Sequence, residues 1–413
     1  MSITIAHAPW LRAAATRRVV AALEAARPGC ARFVGGCVRN TILGAPVDDV
    51  DIATQLTPQE IIDAAHAAGL SAAPTGLEHG TVTVIADHAP FEVTTLRRDV
   101  ETDGRRAVVA FTQDWAEDAQ RRDFRMNALY ADPDGAVHDP TGGGLADARS
   151  GRVIFIGDAR TRIREDYLRI LRFFRFNAWY GRGPLDAAGL AACAALKEGM
   201  AQLSVERVWK ETKKLLAARE PAAAWRAMAD SGVRDVALGE AGNDRRLARL
   251  LAIEGDHFLP IDPLTRLSAA MPNEDAAWAL ARRLKVSNDE KDRLTRAMGT
   301  SPRIVSYLSP KEMRRALYAL GLETFVDRVR LAWADDPADK SAPQWRALLA
   351  MAQSWPRPTM PLTGEDVIAA GVAPGPKLGA VLREVEAWWI DADFPDDRLS
   401  IMERLKAVAQ ALG

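Results

Sequence analysis

Cysteine is scarce. The three present, Cys30, Cys37 and Cys193, are odd in number and stand without metal-ligand spacing. That excludes a disulfide framework and a cysteine zinc site, and it fits a reducing cytoplasm. Long apolar runs are missing too: no stretch approaches the roughly 20 residues of a membrane span, so no membrane partner is expected. The first segment, Pro9 to Glu24, reads as an amphipathic helix without an apolar signal core or cleavage site. No secretion signal is expected there, and Glu24 argues against a transit peptide. An excess of one charge sign is also lacking. The net charge is −1, so the chain as a whole is no polybasic nucleic-acid binder. No fixed-period repeat marks a solenoid.

What remains is an ordinary soluble composition, 48% hydrophobic and 26% charged over 413 residues. That length exceeds one core and predicts about two to four domains. The near-zero net charge hides a local bias. Between Gly151 and Glu220 there are 14 Lys or Arg against 8 Asp or Glu, the footprint of an anionic partner on one stretch.

Secondary-structure signals divide the chain. Ala31 to Val34 is a short apolar strand that enters Gly35-Gly36, and a helix is expected from Asn40 to Leu43. Val50 to Ala53 reads as the next strand. Thr57-Pro58-Gln59-Glu60 is a helix start, with Thr57 as cap, Pro58 in the first turn and Glu60 to close the box. Thr81 to Ala86, Pro90 to Leu96 and Ala107 to Phe111 read as strands. The polar segment Asp99 to Arg106 between the last two carries an Asp103-Gly104 turn signal. Beyond Asp158 strands disappear, and Ala- and Leu-rich helical segments run to the end: Leu185 to Leu196, Val205 to Ala218, Ala222 to Ser231, Asp275 to Leu284. Asp335 to Pro343 and Trp355 to Pro361 read as linkers. The expected fold class is α+β: a mixed-sheet head followed by all-α segments.

The chemistry concentrates in the head. Gly35-Gly36-Cys37-Val38-Arg39 suits a phosphate turn, in which Gly36 admits a close backbone approach and Arg39 clamps the charge. A tight turn with a surface arginine is the competing reading. Asp49 and Asp51, at i and i+2 on a strand, face the same way. Two adjacent carboxylates repel unless a cation sits between them, and a pair of Mg²⁺ ions gripping a nucleoside triphosphate is the candidate. Glu92 stands on a later strand as a possible third carboxylate, or as part of a solvated face. Arg121-Arg122-Asp123 suits triphosphate and sugar contacts, with Asp123 orienting an arginine. Asp139-Pro140-Thr141-Gly142-Gly143-Gly144 reads as a structural turn.

A third cluster runs from Arg164 to Arg175. Arg169, Arg172 and Arg175 recur every three residues and form a helical stripe. Asp166 and Arg169 stand at i and i+3. They form either a weak surface salt bridge or a base reader. Cytosine and adenine both present an amino donor beside a ring-nitrogen acceptor, which a carboxylate and a guanidinium can match. Uracil and guanine present a carbonyl where the carboxylate needs a donor.

Together these motifs resemble the class II CCA-adding tRNA nucleotidyltransferases of the polymerase β superfamily, kin of bacterial poly(A) polymerases. The resemblance runs from Phe33 to about Leu216, and includes Glu165-Asp166-x-x-Arg169 and Leu203-Ser204-Val205-Glu206-Arg207-Val208-Trp209-Lys210-Glu211. A second match covers Leu362-Thr363-Gly364-Glu365-Asp366-Val367 and Gly371 to Gly379. The resemblance implies a polymerase-β-like nucleotidyltransferase head over 1–155, a helical nucleotide-recognition neck over 156–220, a helical body over 221–340 and a tRNA-binding tail over 341–413. It implies Asp49 and Asp51 as ligands of catalytic Mg²⁺, with Glu92 beside them. Gly35, Gly36, Arg39, Arg122, Asp123, Asp166, Arg169, Arg172 and Arg175 would contact the incoming CTP or ATP. The tRNA 3′-hydroxyl would attack the α-phosphate, and no template would be needed. Asn40 departs from the family, which usually has Asp there. If that position tunes Arg39, triphosphate binding is affected.

A poly(A) polymerase shares head and chemistry and is the nearest alternative. The Ser204-x-Glu206-Arg207 motif, the polar Asp99 to Arg106 segment and the lack of a long basic extension favour CCA addition. An enzyme adding only A remains open, and a helical RNA binder without catalysis would not retain Asp49, Asp51 and Glu92. A fused phosphohydrolase is not expected, because His257, in Asp256-His257-Phe258, lacks the following aspartate. RNA would meet the helical part through backbone phosphates, with Lys210, Lys213 and Lys214 as candidates or as a solvated helix face. Trp388-Trp389 reads as core or interface. The sequence carries no signal of an oligomeric state.

Overall fold

One mixed sheet carries the head, seen in the computed structural model, which describes residues 3–103, 106–337 and 339–412. Its strands are Ala31–Val34 (β1), Asp51–Thr54 (β2), Ser71–Gly76 (β3), Thr81–Ala86 (β4) and Ala89–Thr95 (β5). After the separate hairpin of Arg97–Asp103 (β6) and Arg106–Phe111 (β7) come Tyr130–Ala131 (β8) and Val137–His138 (β9). The order is β3-β4-β5-β2-β1-β8-β9. β2 runs parallel to β5, and the other pairs are antiparallel. A parallel pair needs a crossover, and the chain supplies it with the helix Pro58–Ala67 and the strands β3 and β4. That crossover puts Asp51 directly opposite Glu92 in the ladder.

Local chemistry explains these elements. Thr57 and Glu60 form the expected reciprocal capping box at the crossover helix. Asp87 and His88, both left-handed at φ 50° and 63°, make the two-residue turn from β4 to β5. The helix after the glycine turn begins at Gly36, four residues earlier than expected, so Arg39 sits inside it. β2 begins at Asp51, so Asp49 lies just before the strand rather than on it. β3 escapes sequence detection because it includes Pro74, which an edge strand tolerates. The polar segment after Arg97 pairs as a hairpin, from Arg97 opposite Phe111 to Asp103 opposite Arg106, and its turn residue Gly104 lies outside the described residues.

The chain divides into two compact units, residues 1–239 and 240–413. In the first, helices follow the sheet: Ala159–Glu165 (α1), Leu168–Tyr180 (α2), Ala187–Leu196 (α3), Val205–Leu216 (α4), Ala222–Asp230 (α5) and Val233–Leu238 (α6). An aromatic stack joins α2 to the head: Phe155 and Phe173 lie 5.5 Å apart, and Phe124 contacts Phe155 at 4.9 Å. Cys30, Cys37 and Cys193 are buried thiols. The chain does contain one His-Asp dipeptide, His138-Asp139. Its groups are used structurally: His138 meets Asp132 at 2.6 Å, and Asp139 accepts from the Leu145 amide at 3.0 Å.

Among its described residues the regular structure of the second unit is all helical. Its C-terminal core gathers Val367, Val381, Val385, Trp389, Ile401 and Leu405, with Trp388 packed against it. Both tryptophans are thus core. The segment at 355–363 has no helix or strand, as a linker should. The other expected linker is shorter than the sequence suggests. Pro343 already lies in the helix Ala342–Ser354, and the Trp345 indole donates to Asp336 at 2.9 Å. No helix among the described residues is long and apolar enough to cross a membrane.

Candidate active site

The carboxylates stand at one end of the β2–β5 pair. Asp51 is half-buried, whereas Asp49 and Glu92 are exposed. Burial, then the Glu92 and Asp49 carboxylates, push the Asp51 carboxyl up to about 6, against the pull of Arg122. Beneath it the Cys37 thiol points at the Val34 and Asp51 carbonyls. Burial, with Asp51 nearby, pushes that thiol up to about 12, so it is a packing group and not a nucleophile.

The glycine turn sits beside this wall. Gly35 has φ 71° and ψ −118°, a backbone that a side chain resists. Gly36 opens the helix Gly36–Leu43, whose first amides are free of helical partners. A Cβ at Gly36 would come near only the Arg39 guanidinium, at 3.8 Å. Arg39 is buried, and each of its three nitrogens is engaged. It donates to the Asn127 side-chain carbonyl, to the Tyr180 hydroxyl at 2.8 Å, and twice to Asn40 Oδ1, at 3.1 and 2.8 Å. Its guanidinium also lies 4.1 Å from the Tyr180 ring centroid. Asn40 spends its own amide on the Pro46 carbonyl at 2.7 Å. The position that departs from the family therefore touches Arg39 directly and ties it to the loop before Asp49.

Two further ion-pair networks stand behind the turn. Arg122 donates to Asp118 at 3.0 Å and to the Tyr130 hydroxyl at 3.1 Å, and that hydroxyl donates to Asp118 at 2.6 Å. Burial opposes charge on Asp118, yet Arg122 and Arg121, aided by Tyr130, bring its carboxyl down to about 2. Asp123 accepts from Arg172 at 2.8 and 2.5 Å and from Asn127 at 3.0 Å. Burial again works the other way, but Arg172 and these hydrogen bonds lower Asp123 to about 2. The expectation that Asp123 orients an arginine thus has a partner, Arg172, and Asn127 links this network to Arg39.

The third cluster differs from its sequence reading. Asp166 is not on the helix of Arg169. It stands at the break between α1 and α2, with φ −156° and ψ 106°. Its Oδ1 accepts from the Leu168 amide at 3.1 Å, and its Oδ2 from Arg207 at 2.7 Å. Arg169 instead meets Glu165 and donates to the carbonyls of Arg162 and Arg121 at 2.7 and 3.0 Å. Arg175 meets Glu211 at 2.5 Å. The helix break decides this, because an extended residue at 166 removes the i, i+3 relation that a continuous helix would impose.

An open cleft of about 930 Å³ brings Gly36, Arg39, Asp49, Asp51 and Arg175 to a common wall. Arg122, Asp123, Arg172, Glu92, Asp166 and Arg169 do not line it, though Asn127 connects Asp123 to Arg39. Among the described residues no three His, Cys, Asp or Glu side chains form a ready-made cage. The donor set still suits a hard divalent cation bound through one or two carboxylates, with substrate phosphates and water completing its shell. The raised Asp51 carboxyl is the observation that favours this fit, since crowded carboxylates are relieved by positive charge.

Sequence reasoning missed Asn127, Tyr180, Asp118, Tyr130 and Glu211. Asp118 was within reach, as an acid four residues before Arg122 at a helix end. Tyr180 lies 141 residues from Arg39 and carries no local signal.

Comparison with known proteins bears on the family and the fold. Residues 31–154 match the family described as Poly A polymerase head domain, and residues 185–241 match the probable RNA and SrmB-binding site of polymerase A. The mitochondrial CCA tRNA nucleotidyltransferase 1 of Mus musculus is 32% identical over 388 residues, 91% of this chain and 86% of that protein. The CCA-adding enzyme of Levilactobacillus brevis is 31% identical over 379 residues, 90% of this chain and 92% of that protein. Among solved structures, the Bacillus stearothermophilus CCA-adding enzyme in complex with CTP superposes with a TM-score of 0.78 at 27% identity. That match covers 97% of this chain and all of that one.

Proposed function

We infer the function from one premise: the chain belongs to the CCA tRNA nucleotidyltransferase family, the CCA-adding enzymes. It adds C, C and A to the 3′ end of tRNA from CTP and ATP, without a nucleic-acid template, and releases pyrophosphate. The relatives that match it along most of its length are CCA-adding enzymes, which favours this over poly(A) synthesis. The observation that carries the chemistry is the shared cleft of Asp49, Asp51, Gly36 and Arg39.

Asp49 and Asp51 hold the divalent ions, which we take to be Mg²⁺, and Glu92 adds negative charge beside Asp51. Such ions, when bound, supply activation of the 3′-hydroxyl and neutralise charge on the leaving pyrophosphate. The Gly36 amide receives a phosphate at the helix start, while Gly35, whose own amide donates to the Leu129 carbonyl at 3.1 Å, shapes the turn. Arg39, Arg122 and Arg175 provide fixed positive charge that needs no reorganisation as the phosphates shift. Asp123 orients Arg172, and Asp166 with Arg169 reads the base, for which Arg169 must exchange its contacts with Glu165 and the Arg162 and Arg121 carbonyls for the ring nitrogen. Asp166 already accepts two hydrogen bonds, and a carboxylate has about four acceptor sites, so an amino group of C or A finds room. The division into head 1–155, neck 156–220, body 221–340 and tRNA-binding tail 341–413, and a cytoplasmic location, belong to the same reading.

Asp51→Asn tests it. The variant should bind CTP but fail to incorporate labelled CMP into a tRNA lacking its last three nucleotides. Incorporation within about tenfold of the parent rate would remove the carboxylate assignment.

A further inference from the structure

Helix α2 buries its phenylalanines, leaves Tyr180 half-buried and exposes one aromatic. Phe173, Phe174 and Phe176 are buried, but Trp179, one residue from its end, is 49% exposed. The exposed indole is not loose. Its Nε1 donates at 2.7 Å to the carbonyl of Lys214, in the last turn of α4, where helical carbonyls lack partners. Trp179 lines the same cleft as Asp49 and Asp51. Around it on that cleft stand Arg182, Lys214 and Arg219, all exposed and none ion-paired among the described residues; the acids of the same lining are Glu220, Asp48, Asp49 and Asp51, and Glu211 acts on Lys214 from within α4. Burial lowers the Lys214 ammonium below its ordinary value, and the positive charge of Arg175 adds to this. Neighbouring like charges disfavour one another, and an anion seated among them relieves that repulsion.

A fixed aromatic ring among unpaired cations is the arrangement that takes single-stranded nucleic acid: the ring receives a base and the cations follow the phosphates. The triphosphate side of the cleft is already supplied by Gly36 and Arg39. We propose that Trp179 is the platform on which the terminal base of the RNA 3′ end stacks, with Arg182, Lys214 and Arg219 receiving the phosphates of that strand. This rests on the function inferred above and assigns where its acceptor strand enters. Trp179 is then a positioning residue for the attacking hydroxyl, since a stacked terminal nucleotide presents its ribose in one orientation.

The test uses the full chain and a tRNA lacking its last three nucleotides, with 2-aminopurine as terminal base, in EDTA so that no addition occurs. Binding to the parent protein should quench the 2-aminopurine. Trp179→Ala should abolish the quench and weaken tRNA binding about tenfold, as expected for one lost stacking contact, while CTP binding stays unchanged. Trp179→Phe should keep most of both and guards against a folding defect in the alanine variant. Arg219→Ala should flatten the salt dependence of binding without touching the quench. An undiminished quench in Trp179→Ala would overturn the proposal. A loss of CTP affinity with unchanged tRNA affinity would overturn it too, and would assign the ring to the incoming nucleotide. Should the parent protein incorporate no CMP in Mg²⁺, the inferred function falls separately, whatever Trp179 does.

Discussion

Asn40 is the place where one side chain joins two parts of the site, and removing it has a calculable cost. Its carbonyl accepts from Arg39 Nε and Nη2, and its amide holds the Pro46 carbonyl in the loop that leads to Asp49. Asn40→Ala leaves two donors of a buried cation without their acceptor. Hydrogen bonds to charged groups contribute about 1.5–3 kcal/mol each. The half-buried position lets water recover part of this, and Arg39 keeps Asn127 and Tyr180. A net loss of about 2 kcal/mol follows, roughly 30-fold in kcat/KM for CTP. Asn40→Asp should cost less, about 1 kcal/mol. It keeps both acceptors and adds charge, but a carboxylate cannot donate to Pro46 and repels its carbonyl. The assay is single-nucleotide addition with CTP varied, beside thermal unfolding of each variant to separate folding from binding. Alanine within twofold of the parent, or aspartate worse than alanine, would refute the reasoning.

Gly35→Ala places a side chain at φ 71°, and should lose roughly 1–2 kcal/mol of stability in denaturant titration. Gly36→Val has no such strain but intrudes on the cleft, so it should raise KM for both nucleotides with little change in midpoint. Asp118 and Asp123, both lowered to about 2, stabilise the fold fully above their unfolded pKa near 4 and lose that contribution as pH falls through about 2. Asp123→Asn should therefore flatten the decline in stability between pH 4 and 2, by roughly 2 kcal/mol, measured by acid titration. Asp166→Ala should relax base choice more than it weakens triphosphate binding, and unchanged discrimination of CTP and ATP from UTP and GTP would defeat the base-reading role.

The parts legible in the sequence were those governed by local rules. β1, the capped crossover helix and the switch to helices after 158 follow from hydrophobic period and capping, and the structure places them within a residue or two. The carboxylates and the glycine turn were legible because their spacing is short. Asp49 shows the limit of that approach, since a strand that starts at Asp51, one residue later than expected, leaves Asp49 outside it. Asp166 shows another: one extended residue broke a helix that the arginine stripe made look continuous. The contacts that hold Arg39, from Asn127 and Tyr180, depend on β1, the 3-10 turn at 125–127 and α2 meeting in space, and no local pattern encodes that meeting. Trp179 was invisible for the same reason, because a tryptophan near a helix end reads as core until its exposure is seen.

The most direct measurement is the sequence of the product ends. A tRNA lacking its last three nucleotides, incubated with excess enzyme, Mg²⁺ and both CTP and ATP, should finish with C, C and A on every extended molecule and go no further. Omitting ATP should stop the product after two cytidines. A ladder of adenosines, with or without CTP, would contradict the account and make the chain a poly(A) polymerase built on the same cleft.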